Sequence, residues 1–131
     1  MSKKIQYYQN TEKIINAGSI DRRMFIILEG RVKITLGEGD SAVEVAELKK
    51  GDFFGEISLF NNTPRSATVR AVENVKVACI DSVEALKSFL VKNPAYAAKM
   101  VHILASRLAK TNDILVGKMS EIHRFKVTQD I

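Results

Sequence analysis

Apolar and polar residues change rhythm along this chain, and the change divides it into two parts. Residues 24–28 form a short continuous apolar run followed by Glu29 and Gly30. Residues 31–36 and 42–48 alternate with period two, the mark of strands that bury one face. Residues 37–41 between them are a Gly-rich turn cluster, so the two runs predict a hairpin. Residues 50–52 give another turn signal. Residues 67–72 and 75–80, separated by Glu73 and Asn74, predict a second hairpin. Many short strands with turns between them imply a closed or sandwiched antiparallel β structure.

Beyond residue 80 the pattern is helical. Asp81 and Ser82 open a short helix that ends near Lys92. Asn93 is a good N-cap and Pro94 a good first helical residue, so a second helix starts there. With no further Pro, it runs to about Arg124, roughly 30 residues and about 45 Å. That length overhangs a small β domain, so part of the helix needs another partner. Val101, Leu108, Leu115 and Ile122 recur every seven residues, with Leu104, Ala105 and Met119 in companion positions. This stripe packs on the helix's own β domain, on a second copy of the helix, or on each along half its length.

Composition narrows the setting. The 131 residues predict one domain, 1–131, with 46% apolar and 27% charged residues, ordinary for a globular chain. The net charge of +5 is spread along the sequence and mixed with acids, which reads as a solvated surface. Cys79 is the single cysteine, excluding an intramolecular disulfide. No apolar run approaches the ~20 residues of a membrane span, and Met1 is followed by no apolar leader, so a cytoplasmic protein is expected. His102 and His123 both fall on the predicted long helix, away from the strands, so neither a metal site nor histidine-based catalysis is expected.

The candidate chemistry lies in residues 51–71. Gly55 and Glu56 end a strand and open one apolar helical turn, 57–60, whose free N–H groups suit a phosphate. Arg65 follows a turn at 61–64, and its guanidinium can hold phosphate oxygens through parallel N–H bonds. The small residues Ser66 and Ala67 let the backbone approach the same anion. Glu56 has the opposite sign and suits a sugar hydroxyl. Each residue alone is commonplace on a surface; the combination between two strands is the signal.

Residues 54–59 together with 64–69 resemble the phosphate-binding cassette of cyclic-nucleotide-binding domains, a family of kinase regulatory subunits, gated channels and catabolite-activator-type regulators. The resemblance runs from about Ile15 to Gly117 and includes a strand pair around Gly30. It implies a mainly β fold with α: an eight-stranded antiparallel β-roll, jelly-roll-like, over about 4–81, then a short helix (82–92) and a long C-terminal helix (94–124). The family's N-terminal helical segment is expected to be short or absent. Arg65 would neutralise a cyclic phosphate, and Glu56 would accept from the ribose 2′-OH. Backbone N–H groups of Gly55, Ser66 and Ala67, the Ser66 hydroxyl, and the backbone of Ile57 and Ser58 would complete the cradle. Ile34, Val45, Ala46 and Leu48 would wall the sugar and base, or serve only as barrel core.

Thr111 and Asn112 match the part of the activator-type helix that reads the purine; they contact adenine or only set helix register. They favour cyclic AMP over cyclic GMP, whereas Ser66 is compatible with both. The resemblance further implies a homodimer through the long helix, ligand binding coupled to movement of that helix, and no catalytic residues or other cofactor. The alternative is a dimerisation module of the same fold that no longer binds nucleotide. About seven residues follow Arg124, too few for a helix-turn-helix, so a stand-alone receptor or a piece of something longer is expected rather than a DNA-binding regulator.

Overall fold

A computed structural model describes residues 4–37 and 39–129, with side chains described to residue 122. Glu38, in the expected turn, and the side chains of His123 and Arg124 lie outside the described residues. The chain forms two compact units, Met1–Lys92 and Asn93–Ile131.

Among the described residues the first unit holds eight strands in two antiparallel sheets. In chain order these are β1 (Lys4–Tyr8), β2 (Lys13–Ile15), β3 (Met24–Glu29), β4 (Arg31–Leu36), β5 (Val43–Lys49), β6 (Phe53–Phe54), β7 (Thr68–Ala71) and β8 (Val75–Ile80). The first sheet has the order β1-β8-β3-β6 and the second β2-β7-β4-β5. A short helix, α1 (Glu56–Asn61), packs against β3, and α2 (Val83–Lys92) packs against β8. The expected β-roll is therefore present.

Local chemistry explains the elements. The alternation in β4 buries Val32 and keeps Arg31 exposed. Its hairpin with β5 forms as expected, with Val32 opposite Leu48 and Ile34 opposite Ala46. The register slips at the next pair, Thr35 opposite Glu44, so Val45 is the extra residue of a bulge. Ser82 caps α2, its Oγ accepting the Ala85 N–H at 3.0 Å. Phe25 stacks on Phe54 with ring centroids 5.1 Å apart, inside a core that includes Ile27, Val32, Val69, Ala71 and Val77.

Two expected pairings are corrected. The strands on either side of Glu73 and Asn74 do not form a hairpin: β7 belongs to the second sheet and β8 to the first. Likewise the strands around Gly30 are not paired with each other, because β3 and β4 lie in different sheets. Both links are corners where the chain steps from one sheet to the other, and the two corners touch. Gly30 has φ +90°, and a Cβ there would overlap the Asn74 carbonyl oxygen and come within 2.9 Å of the Val75 side chain. Opposite the corner, the Val72 N–H donates to the Arg31 carbonyl at 3.0 Å.

The second unit is α3 (Pro94–Gln129), which continues past the expected end near Arg124. It starts at Pro94 as expected, and the Ala97 N–H donates to the Asn93 carbonyl at 3.1 Å. Val101, Leu108, Leu115 and Ile122 are exposed by 55–67%. No helix among the described residues is long and apolar enough to cross a membrane.

Candidate functional site

The segment after α1 is laced to the loop between β2 and β3. The Arg65 N–H donates to the Ser19 carbonyl at 2.9 Å, and the Arg65 carbonyl accepts from Gly18 N–H at 2.8 Å. Further along, the Ala17 N–H donates to Thr68 Oγ1 at 3.1 Å. These rungs fix the Arg65 backbone and aim its side chain inward, where it is only 4% exposed.

A guanidinium cannot shed its charge, so a buried one must be given acceptors. Arg65 Nη1 donates to the Gly55 carbonyl at 2.9 Å, and Nη2 donates to the Arg23 carbonyl. Its Nε is buried with no hydrogen-bond partner among the described residues. The nearest carboxylate is Asp21, with Oδ1 3.9 Å from Nη2. Burial pushes the Arg65 pKa below the ordinary arginine value, while Asp21 and Glu56 act against that and Arg23 adds to it. Arg65 thus has carbonyl dipoles around it and, among the ion pairs of the described residues, only a long one, to Asp21 at 3.9 Å.

Gly55 makes this arrangement possible. Its φ is +87°, and a Cβ would lie 2.7 Å from the Arg23 carbonyl oxygen and 3.0 Å from Arg65 Nη1. Gly55 is also the residue from which α1 starts, so Glu56 stands in the first turn, half-buried. Ile57 is exposed and Ser58 buried. The helix stops after one and a half turns because Asn62 adopts a left-handed conformation, φ 56°, its N–H returning to the Ser58 carbonyl at 3.1 Å. Ser66 is exposed and Ala67 half-buried directly after Arg65.

The expected site residues therefore separate into groups. Gly55, Glu56, Ile57, Ser58, Arg65, Ser66 and Ala67 lie on or beside α1 in the first unit. Val45 and Leu48 are on β5: Val45 is exposed at the bulge, and Leu48 is half-buried against the core, as is Ile34. Thr111 and Asn112 belong to α3, both exposed, with Thr111 Oγ1 bonded to the Arg107 carbonyl at 3.0 Å. Among the described residues no three His, Cys, Asp or Glu side chains gather into a metal-holding group.

Sequence reasoning missed Asp21 and Arg23. The Arg23 guanidinium holds Asp21 through Nη2–Oδ2 at 2.8 Å and Nε bonds to both oxygens at 3.1 and 3.2 Å. The Arg23 backbone N–H is a third donor, 3.0 Å from Oδ1. Arg23 also lies over the Phe25 ring, 5.2 Å from its centroid. No local motif announces this pair; the run from Asp21 to Arg23 reads as a charged loop, and its tie to Arg65 spans 42 residues.

Two four-stranded antiparallel sheets, with a short helix beside a buried arginine, make a β-roll with a candidate anion site. The family model "Cyclic nucleotide-binding domain" matches residues 5–93, and the chain belongs to that family. It is 40% identical over 75 residues to the cAMP-dependent protein kinase type II regulatory subunit of Drosophila melanogaster, covering 56% of this chain and 20% of that one. It is 31% identical over 94 residues to the CRP-like cAMP-activated global transcriptional regulator of Mycobacterium tuberculosis, covering 71% of this chain and 42% of that one. Among solved structures, the catabolite activator protein of Thermus thermophilus superposes with a TM-score of 0.72 at 24% identity, covering 86% of this chain and 53% of that one, a likeness of fold. The chain thus spans well under two thirds of the length of these relatives.

Proposed function

We propose that this chain is a regulatory sensor for 3′,5′-cyclic AMP. The observation that carries the reading is the state of Arg65: a buried, permanently charged group whose Nε has no hydrogen-bond partner among the described residues and whose ion pair, to Asp21, is long at 3.9 Å. A cyclic phosphate supplies that anion, and charge-assisted bonds to it are the stronger kind. Glu56, in the first turn of α1, accepts from the ribose 2′-OH. Backbone N–H groups of Gly55, Ser66 and Ala67, with the Ser66 hydroxyl and the backbone of Ile57 and Ser58, complete the cradle. Val45 and Leu48 wall the sugar and base. The preference for cyclic AMP rests on Thr111 and Asn112 as purine contacts, and is supported by relatives named for cAMP.

Ligand binding on this reading couples to α3, through the purine contacts at Thr111 and Asn112. The seven-residue spacing and exposure of Val101, Leu108, Leu115 and Ile122 support a homodimer through that helix. The protein acts in the cytoplasm without catalysing a reaction, a reading supported by the regulatory names of the two sequence relatives above.

Calorimetric titration tests the site. Arg65→Ala removes bonds to a charged group worth about 1.5–3 kcal/mol, so affinity for cyclic AMP falls by roughly 10- to 100-fold or more while the protein stays folded. Unchanged affinity in a folded mutant overturns the assignment. A folded wild-type protein that binds neither cyclic AMP nor cyclic GMP establishes the alternative, a non-binding dimerisation module. Hydrogen exchange tests the coupling: cyclic AMP protects amides in residues 55–67 and in residues 107–115, and protection of the cassette alone removes α3 from the mechanism.

A further inference from the structure

We propose that Arg23 is a positioning residue for the anion site: its side chain keeps the Asp21 carboxylate away from Arg65, so that Arg65 stays open to an incoming phosphate. The inference rests on the phosphate reading of Arg65 and names the residue that protects it.

A carboxylate offers about four lone-pair sites. Arg23 alone turns three N–H groups on Asp21, Nη2, a bifurcated Nε reaching both oxygens and its own backbone N–H, at 2.8 to 3.2 Å, and so occupies most of those sites. Asp21 Oδ1 consequently stands 3.9 Å from Arg65 Nη2, at the outer limit of an ion pair. The side chain of Arg23 is itself held, by the Phe25 ring at 5.2 Å and by Gln6 Oε1 at 3.5 Å. Its carbonyl accepts from the same Nη2 of Arg65. One residue therefore occupies the nearest competing anion with its side chain and steadies the arginine with its backbone.

Remove the guanidinium, and two of the three N–H donors to Asp21 vanish. The closest remaining cation is Arg65, an ångström or so beyond bonding distance and far more deeply buried than Arg23. In that low-dielectric setting an opposite charge is attracted strongly. Asp21 then closes on Arg65, and a phosphate must displace it before binding.

The test is a double-mutant cycle read by titration of the intact chain with cyclic AMP. Arg23→Gln weakens binding by about tenfold, Asp21→Asn alone tightens it by less than about threefold, and Arg23→Gln with Asp21→Asn recovers to near wild type, a coupling of about 1.4 kcal/mol. Arg23→Lys, which keeps an ion pair to Asp21, loses less than Arg23→Gln. A double mutant as weak as Arg23→Gln means the residue only supports the loop, and overturns the proposal. Strictly additive effects, with Asp21→Asn tightening binding tenfold, mean that net charge alone matters, and overturn it too. A crystal structure of ligand-free Arg23→Gln protein decides the point independently of any nucleotide. Asp21 moved into hydrogen-bond distance of Arg65 supports the proposal; Asp21 unmoved overturns it. Failure of the functional reading is seen separately, as wild-type protein that binds no cyclic nucleotide.

Discussion

The two sheets of the roll are built from opposite kinds of sequence. In the first, Met24, Phe25, Ile26 and Ile27 of β3 are consecutive and all at most 3% exposed. Successive residues of a strand point to opposite faces, so β3 is buried on both; α1 packs against it and α2 against its neighbour β8, while only the edge strand β1 of this sheet stays largely exposed. In the second sheet, β7 alternates strictly: Val69 and Ala71 are buried, Thr68 and Arg70 only partly. One of its faces is core and the other is wet. The proposed ligand site sits with the dry sheet: Gly55 follows β6 directly, and Arg23, immediately before β3, gives its carbonyl to Arg65. A buried arginine is held where side chains have little room to move.

Stability measurements by urea denaturation can break this contrast. The largest effect belongs to Phe25→Ala, which empties a fully buried ring site stacked on Phe54 and costs about 3–5 kcal/mol. Gly30→Ala comes next. It forces an L-residue to a φ of +90° at the touching corners and costs about 1–3 kcal/mol from strain, with the overlap on the Asn74 carbonyl added. A neutral result there would mean that the corners can separate without disturbing either sheet.

Acid titration sharpens the contrast at the join between dry sheet and site. Hydrogen bonds from Arg23, outweighing burial, hold the Asp21 carboxyl below its ordinary range. A pKa depressed by folding contributes stability above the unfolded value, lost as pH falls through the folded one. The stability difference between wild type and Asp21→Asn should therefore be present at neutral pH and shrink below about pH 4. A difference independent of pH would detach Asp21 from the Arg23 clasp. Smallest of all, Lys33→Ala on the outer face of β4 should shift stability by no more than about 0.5 kcal/mol. A cost comparable with Phe25→Ala would mean that the second sheet is covered on both faces as well.

The same contrast explains what could be read beforehand. β4 and β5 announce themselves because one wet face imposes alternation, and β3 because two dry faces impose an apolar run. The pairs around Gly30 and across Glu73 and Asn74 misread because a two-residue turn signal is the same for a hairpin and for a corner. Burial of Val32 and Ala71 opposite each other decides which sheet each strand joins, and that is a non-local fact. β1 and β2 carried no pattern: Ile5 and Tyr7 are exposed, and the bulge at β2 puts both Ile14 and Ile15 inside. At the site, Gly55, Glu56 and Arg65 were legible because their spacing is local. Asp21 and Arg23 were not, since their meaning comes from a carbonyl that a distant arginine happens to reach.

The pairing of β1 with β8 carries a consequence in time. Lys4 lies opposite Cys79 and Tyr8 opposite Val75, so β1 finds its only ladder partner among the described residues at the roll's far end. On a ribosome adding about 5–20 residues per second, β1 waits roughly 4–15 s before β8 has been made. Through that interval it is an unpaired edge bearing Ile5 and Tyr7, open to the same segment on a neighbouring nascent chain. Its charged first residue, Lys4, and its polar Gln6 make such an encounter less adhesive, which suits a strand that must stay idle until its partner arrives.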